Sequence, residues 1–270
     1  MQTVAAPRAL LDQYQEKVRR EEHGADKSDH PGGGKGSRLQ SEQADIPKAL
    51  RRVGDKTLIE HVLSGISFVQ PEDVTIVIGV LGEKIQAYLG ERYNYVWQKE
   101  QKGTAHAMLC AEPAASGFDG PVLCLYCDMP LLSRNTYERM VREHLEHHAA
   151  NTLLAAKIHP IPAFGRLIRD EQGELCDIVE DSACTPEQKL IDEVNVGIQV
   201  MQGNIMWDAL KRVRNDNPKH EYYLTGVVKV IHDLGLKQHA VVTPDTPEYW
   251  GVNTMEELEK VEAYLRSHRA

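Results

Sequence analysis

The sequence predicts an α/β fold, with a mixed and mostly parallel sheet, helices on both faces and a small antiparallel insertion. Three observations carry that reading. From Asp55 to Ile158, short β-branched runs alternate with segments of helical periodicity, the pattern of the strand–helix–strand units that build parallel sheets. From Phe164 the rhythm changes to two short apolar runs around Asp170-Glu171-Gln172-Gly173, which reads as a hairpin. With 270 residues, the chain can bury a substantial single core.

The elements follow in order. Leu11, Tyr14 and Val18 recur at helical spacing over residues 7–22, with Gly24 as the stop. Polar residues 25–31 then form a loop, so residues 1–31 are assigned to an N-terminal helix and polar loop and residues 32–270 to one domain. A helix is expected over 55–68, with Ile59, Val62, Leu63 and Ile66 on one face, then a buried strand over 74–78. A helix at 83–89, a strand at 95–97, a helix at 104–110 and a strand at 122–126 continue the alternation. Ser133 opens a helix reaching 147, and 152–158 is the next strand. Beyond the hairpin come a strand through 194–201, helices at 203–214 and 222–234, a strand at 240–242 and a final helix at 254–267.

Charge and composition exclude several function classes. A net charge of −9 disfavours nucleic acid and anionic membranes as general partners. No apolar run reaches the ~18 residues of a membrane span, and the N-terminus lacks a basic-then-apolar leader, so a cytoplasmic protein is expected. Five scattered cysteines do not make a disulfide framework. Cys124 and Cys127 have CxxC spacing but lie in a strand-like run, where residues three apart face opposite sides and cannot share a metal. His144, His147 and His148 lie on a charged helix with no evident third ligand, and read as a solvated face.

Four stretches could carry chemistry. The first is Gly32-Gly33-Gly34-Lys35-Gly36-Ser37-Arg38-Leu39 followed by Ile46-Pro47-Lys48-Ala49-Leu50. Consecutive glycines bare backbone N–H groups, and three cations in one segment suit a polyphosphate, although the spacing fails the Walker A pattern. The second, Gln98 to Met108, offers an amide and a Gly103-Thr104 pair opening a helix. Those groups can meet a flat base edge, or simply form a strand–turn–helix joint. In the third, Asp128 follows the strand through Tyr126, at the sheet end where open α/β folds bind ligands. Asp128 is also a suitable hard ligand for Mg²⁺, the alternative being a turn residue before Pro130. The fourth group is Gly165, Glu180 and Asn195 on the insertion, with Glu221–Gly226 and Gly251–Asn253 further on. Asn253 could equally cap the last helix.

Together these stretches resemble the sugar-1-phosphate nucleotidyltransferases. Gly-Gly-Gly-Lys-Gly-Ser-Arg-Leu…Ile-Pro-Lys-Ala-Leu is similar to their signature loop L-A-A-G-x-G-T-R…P-K-x-L. Gln98 to Ala107 matches Q-x-E-Q-x-G-T-x-H-A, and Leu125 to Leu131 matches L-Y-G-D-x-P-L with Cys127 in place of Gly. Phe164-Gly165-Arg166, Ile178-Val179-Glu180, Glu193 to Ile198 and Glu221 to Thr225 add further matches, nearest to the N-acetylglucosamine-1-phosphate uridylyltransferase domain of a bifunctional bacterial enzyme.

The resemblance, over residues 32–267, implies a Rossmann-like, GT-A-like nucleotidyltransferase fold and transfer of a uridylyl group from UTP to N-acetylglucosamine 1-phosphate. It assigns Arg38 and Lys48 to catalysis and Gly33, Gly34, Gln98, Gly103, Thr104 and Tyr126 to the nucleotide. Gly165, Glu180 and Asn195 fall to the sugar, and Asp128 and Asn253 to Mg²⁺. UTP and a sugar 1-phosphate are the expected partners, oligomerisation is allowed, and no hexapeptide-repeat acetyltransferase segment occurs in the sequence. The chain departs from the family at the polar residues before the glycine loop, at Cys127, at Ser182 where a Lys is frequent, at Gly226 for Asp and at Trp250 for Glu. Two alternatives follow: a transferase for another sugar phosphate or nucleotide, or a catalytically impaired relative that binds a nucleotide sugar.

Overall fold

The computed structural model describes the backbone of residues 2–5, together with residues 46–243 and 246–268. The helix expected over 7–22 and the glycine loop, with Gly33, Gly34 and Arg38, lie outside the described residues.

In chain order, β1 (Gln2–Ala5) precedes a two-strand ribbon of β2 (Arg52–Val53) and β3 (Lys56–Thr57). Helix α1 (Leu58–Gly65) starts there on a reciprocal cap: Thr57 Oγ1 accepts from Glu60 N, and the Glu60 carboxylate accepts from Thr57 N at 2.7 Å. Then come β4 (Val74–Ile78), α2 (Gly82–Leu89), β5 (Asn94–Trp97), α3 (Thr104–Cys110), α4 (Glu112–Ala115) and β6 (Pro121–Tyr126). Helix α5 (Arg134–Glu146) is capped by Ser133, as its sequence suggests, and leads into β7 (Asn151–Lys157). The hairpin of β8 (Arg166–Arg169) and β9 (Leu175–Val179) is followed by β10 (Glu193–Gln202) and α6 (Gly203–Lys211). Helix α7 (Gly226–Asp233), β11 (Gln238–Thr243) and α8 (Met255–Ser267) complete the described chain.

The main sheet has the order β11-β7-β10-β6-β1-β4-β5, with the β8–β9 hairpin attached to β10. The pairings run β11, β7, β6, β4 and β5 in one direction and β10 and β1 in the other. This is a mixed α/β sheet with an antiparallel insertion, as the alternation of elements predicts, but only β11–β7 and β4–β5 are parallel pairs, because β1 and β10 run against their neighbours on both sides. Its centre was not legible: β1 lies between β4 and β6, antiparallel to both, with Thr3 opposite Ile76 and Leu125. The division into an N-terminal segment 1–31 and a domain 32–270 therefore needs correction at its start, because Gln2–Ala5 is a strand of the main sheet itself.

Side-chain alternation divides the core in two. On β6, Leu123 and Leu125 join a core with Ile76, Ile78, Ile59, Tyr137 and Met140, under α1 and α5. Val122 and Cys124 face the opposite core with Met108, Trp207 and Ile231, under α3, α6 and α7. Cys124 and Cys127 therefore sit in different cores, both as free thiols, and do not form a metal site.

Two further expectations need correction. The helix expected over 222–234 begins only at Gly226, because residues just before it bond to the start of α3. Tyr222 N donates to Lys102 O and Tyr222 O accepts from Ala105 N, both at 2.8 Å, while Thr104 Oγ1 accepts from Leu224 N at 2.7 Å. The second concerns His144, which is 1% exposed rather than solvated. Its ring lies 3.1 Å from Thr152 Oγ1 and 3.2 Å from Gln202 Oε1, so the helix turns one histidine inward and leaves its neighbours out.

Burial lowers the His144 pKa to about 4, below its unfolded value of about 6.5. The folded state then binds fewer protons than the unfolded one between those values, and stability falls as pH falls through that window. Between pH 7 and pH 5 this group should remove about 2 kcal/mol. Urea melts at the two pH values check this, since His144→Gln should lose that part of the pH dependence.

Candidate active site

Two neighbouring cavities open at the C-terminal ends of β4 and β6. One, about 440 Å³, is lined by Lys48, Gln98, Gly103 and Thr104 among others; the second, about 800 Å³, by Gly165, Glu180, Asn195 and Asn253. Thr104, Tyr126 and Asp128 face both. Both volumes fall within the usual range of small-molecule sites. Every sequence-nominated residue within the described chain lines at least one of them.

At the junction, the Lys48 ammonium donates to Asp128 Oδ2 at 2.6 Å and to Asn253 Oδ1 at 2.7 Å. Three residues separated by up to 205 positions thus meet at one point. Each is held by its own backbone. Pro47 and Ala49 are buried on either side of Lys48, and Leu50 N donates to Pro47 O to close the short turn. Asp128 O accepts from Val252 N at 2.8 Å, which ties the end of β6 to the segment carrying Asn253. Thr254, not Asn253, caps α8, so the Asn253 side chain is left to Lys48. With side-chain exposures of 36% and 26%, the Lys48–Asp128 pair contributes at most about 1 kcal/mol to folding. Its placement serves the cavities far more than stability.

Asp128 and Asn253 present two hard oxygens to one cation, here the Lys48 ammonium. The same donors fit Mg²⁺, which keeps water and phosphate oxygens for its other positions. The 440 Å³ cavity is shaped by the joint between β5 and α3. Gln98 Nε2 donates to Gly103 O at 3.0 Å and lies 3.0 Å from His106 Nδ1, which orients its amide across the loop. Gly103 has φ +105°, and a Cβ there would lie 2.5 Å from Tyr222 O. Gly103→Ala should therefore destabilise the chain by about 1–3 kcal/mol, lowering its melting temperature by several degrees in a thermal melt.

Burial pushes the Tyr126 phenol up, although a hydrogen bond with Thr104 opposes the shift. It stays neutral and can only donate or accept a hydrogen bond. Burial likewise raises the Cys127 thiol, leaving it unreactive. Cys127 is 3% exposed and belongs to the α1–α5 core while lining the smaller cavity.

In the larger cavity the insertion positions its polar groups through β10. Gly197 N donates to Asn195 Oδ1 at 3.0 Å, and Asn195 N donates to Gly165 O at 2.8 Å. Thr225 Oγ1 donates to Glu180 Oε1 at 3.1 Å. A Cβ on Gly165 would come within 2.8 Å of Ile178 and 3.6 Å of Glu180 Oε2, so its lack of a side chain keeps that wall open. The sequence reading did not nominate Thr225, Glu221 or Gly197, all of which line a cavity. The signal was present for each, inside motifs already singled out.

Comparisons with known proteins bear on the family and the fold. Residues 32–183 match the family described as "MobA-like NTP transferase domain". The "Bifunctional protein GlmU" of Brevibacillus brevis is 36% identical over 233 residues, covering 86% of this chain and 50% of that protein. The protein of the same name from Solibacter usitatus is 34% identical over 238 residues, covering 87% of this chain and 50% of its own length. The chain thus spans about half the length of the curated relatives it matches. In fold it is similar to a UDP-glucose pyrophosphorylase crystallised with UDP-glucose, with a TM-score of 0.66, 15% identity, and coverage of 83% of this chain and 92% of that one. A cavity pair at the strand ends, lined by the residues of the nucleotidyltransferase motifs, and a match over residues 32–183 together place this chain in the MobA-like NTP transferase domain family.

Proposed function

We propose that the chain transfers a uridylyl group from UTP to N-acetylglucosamine 1-phosphate, releasing pyrophosphate and forming UDP-N-acetylglucosamine. The single observation that best supports this is Lys48 bridging Asp128 and Asn253 where the two cavities join. The relatives named GlmU support the choice of sugar nucleotide.

The reaction is an in-line displacement. A phosphate oxygen of the sugar phosphate forms a bond to the α-phosphorus of UTP as the bond to the pyrophosphate oxygen breaks, and pyrophosphate carries away that electron pair. The protein supplies position and charge rather than a covalent intermediate. Gln98, Gly103, Thr104 and Tyr126 would hold the nucleotide in the smaller cavity, with Gly33 and Gly34 contributing backbone. Gly165, Glu180 and Asn195 would hold the sugar in the larger one. Lys48 would neutralise charge at the reacting phosphates, and Arg38 would steady the leaving pyrophosphate. Mg²⁺ held by Asp128 and Asn253 would add charge neutralisation on the phosphate oxygens.

Pyrophosphate release with UTP, Mg²⁺ and N-acetylglucosamine 1-phosphate tests the proposal, with CTP, dTTP, GTP and glucose 1-phosphate as competing substrates. Release that requires both named substrates and prefers them supports it. Faster release with another pair moves the assignment to that pair. A folded chain that binds UTP or UDP-N-acetylglucosamine without any release would be a binding relative instead.

A further inference from the structure

Away from the active site, Glu143, His147 and His239 bring one carboxylate oxygen and two imidazole nitrogens within 4.8 Å of one another. Glu143 and His147 lie one turn apart at the end of α5, the i,i+4 spacing that places two ligands on one side of a helix. His239 comes from the beginning of β11, the edge strand beside β7. Of His144, His147 and His148, for which the sequence alone offered no third ligand, only His147 joins this cluster, and Glu143 and His239 supply the other two donors. This corner lies at the sheet end opposite the active site, because α5 runs back from the Asp128 end toward the start of β7.

We propose that Glu143, His147 and His239 form a site for a borderline transition-metal ion, Zn²⁺ being the best match, that clips α5 to the edge of the sheet. Two imidazoles and a carboxylate are a suitable Zn²⁺ donor set, with water completing the tetrahedron. His239 Nε2 already lies 2.8 Å from Glu143 Oε2, so an ion would replace the shared proton after that gap widens by roughly 0.5 Å. Arg139 donates to the other oxygen, Glu143 Oε1, at 2.6 Å. That contact fixes the carboxylate from behind and leaves Oε2 for the ion.

The His147 and His239 rings are stacked, 3.9 Å between centroids and 13° from parallel. Parallel rings aim their nitrogen lone pairs side by side, so one ring must turn for both to reach the ion. His147 can turn: it sits just beyond the last turn of α5, and no hydrogen bond to a described residue holds its ring. His144 takes no part, since its ring is committed to Thr152 and Gln202 inside the core.

The test is a Zn²⁺ titration of the metal-free chain in millimolar Mg²⁺, which covers Asp128 and Asn253, with Co²⁺ absorption as a second readout. One equivalent should bind, with the intense visible bands of tetrahedral Co²⁺. At 100 times the dissociation constant, the melting temperature should rise by roughly 5 °C. Losing a group behind a metal ligand costs about 10–100-fold in affinity, so His147→Ala and His239→Ala should each lose about 100-fold. His148→Ala, outside the cluster, should bind as the unaltered chain does. Melting curves without metal confirm that each variant is folded. Absence of stoichiometric binding overturns the proposal, as does binding that survives either His147→Ala or His239→Ala.

Discussion

Lys48→Ala should lower kcat by about 10²–10³-fold and leave the melting temperature close to that of the unaltered chain. The two halves of this result have different causes. The Lys48–Asp128 pair is partly exposed, so its loss removes at most about 1 kcal/mol of folding stability. In a reaction that gathers charge on phosphate oxygens, a cation held at the junction of both cavities acts where that charge develops, and losing such a group removes about 3–4 kcal/mol of transition-state stabilisation. Lys48→Arg should not restore activity fully. The planar guanidinium is wider than an ammonium and spreads its charge, so it cannot present to a phosphate the compact point charge that Lys48 would offer beside a Mg²⁺ on Asp128 and Asn253. Steady-state pyrophosphate assays and a thermal melt on the same preparation separate the two effects. A variant with near-normal kcat would remove Lys48 from the catalytic machinery.

Asp128→Asn should be at least as damaging, at about 10²–10⁴-fold, and should raise the Mg²⁺ concentration needed for half-maximal rate. The substitution is nearly isosteric, and an amide oxygen can still accept from Lys48. What disappears is the negative charge that would hold a hard cation against competing water. The backbone should not move, since Asp128 O remains bonded to Val252 N. Because Lys48 and Asp128 touch, combining the two substitutions should cost far less than the product of the single losses. An unchanged Mg²⁺ requirement in Asp128→Asn would overturn its assignment as a metal ligand.

Much of this was legible because particular residues leave little freedom. The β-branched run Val74–Ile78 is buried throughout and lies where its composition puts it. Ser133 caps α5 as its position suggests. Lys48, Asp128 and Asn253 were chosen from motifs far apart in sequence, and the fold brings their side chains within hydrogen-bond reach. The central strand was not legible, because Gln2–Ala5 is only four residues long and carries no alternation long enough to register. The sequence also could not say that residues 222–225 would bond to the start of α3 instead of beginning a helix, since those bonds join segments about 120 residues apart. Thr225 shows a third kind of miss. It stood in a recognised motif, but only its hydrogen bond to Glu180 distinguishes it from its neighbours.

The wall shared by the two cavities has a consequence for turnover. Thr104, Tyr126 and Asp128 face both spaces, with no separate partition for each. A molecule long enough to occupy both would surrender its translational freedom once while making the contacts of two ligands. If the two cavities take a nucleotide and a sugar phosphate as proposed, their joined product would be such a molecule, while each substrate would occupy one cavity. Release of the finished product, rather than formation of the new bond, would then limit the cycle.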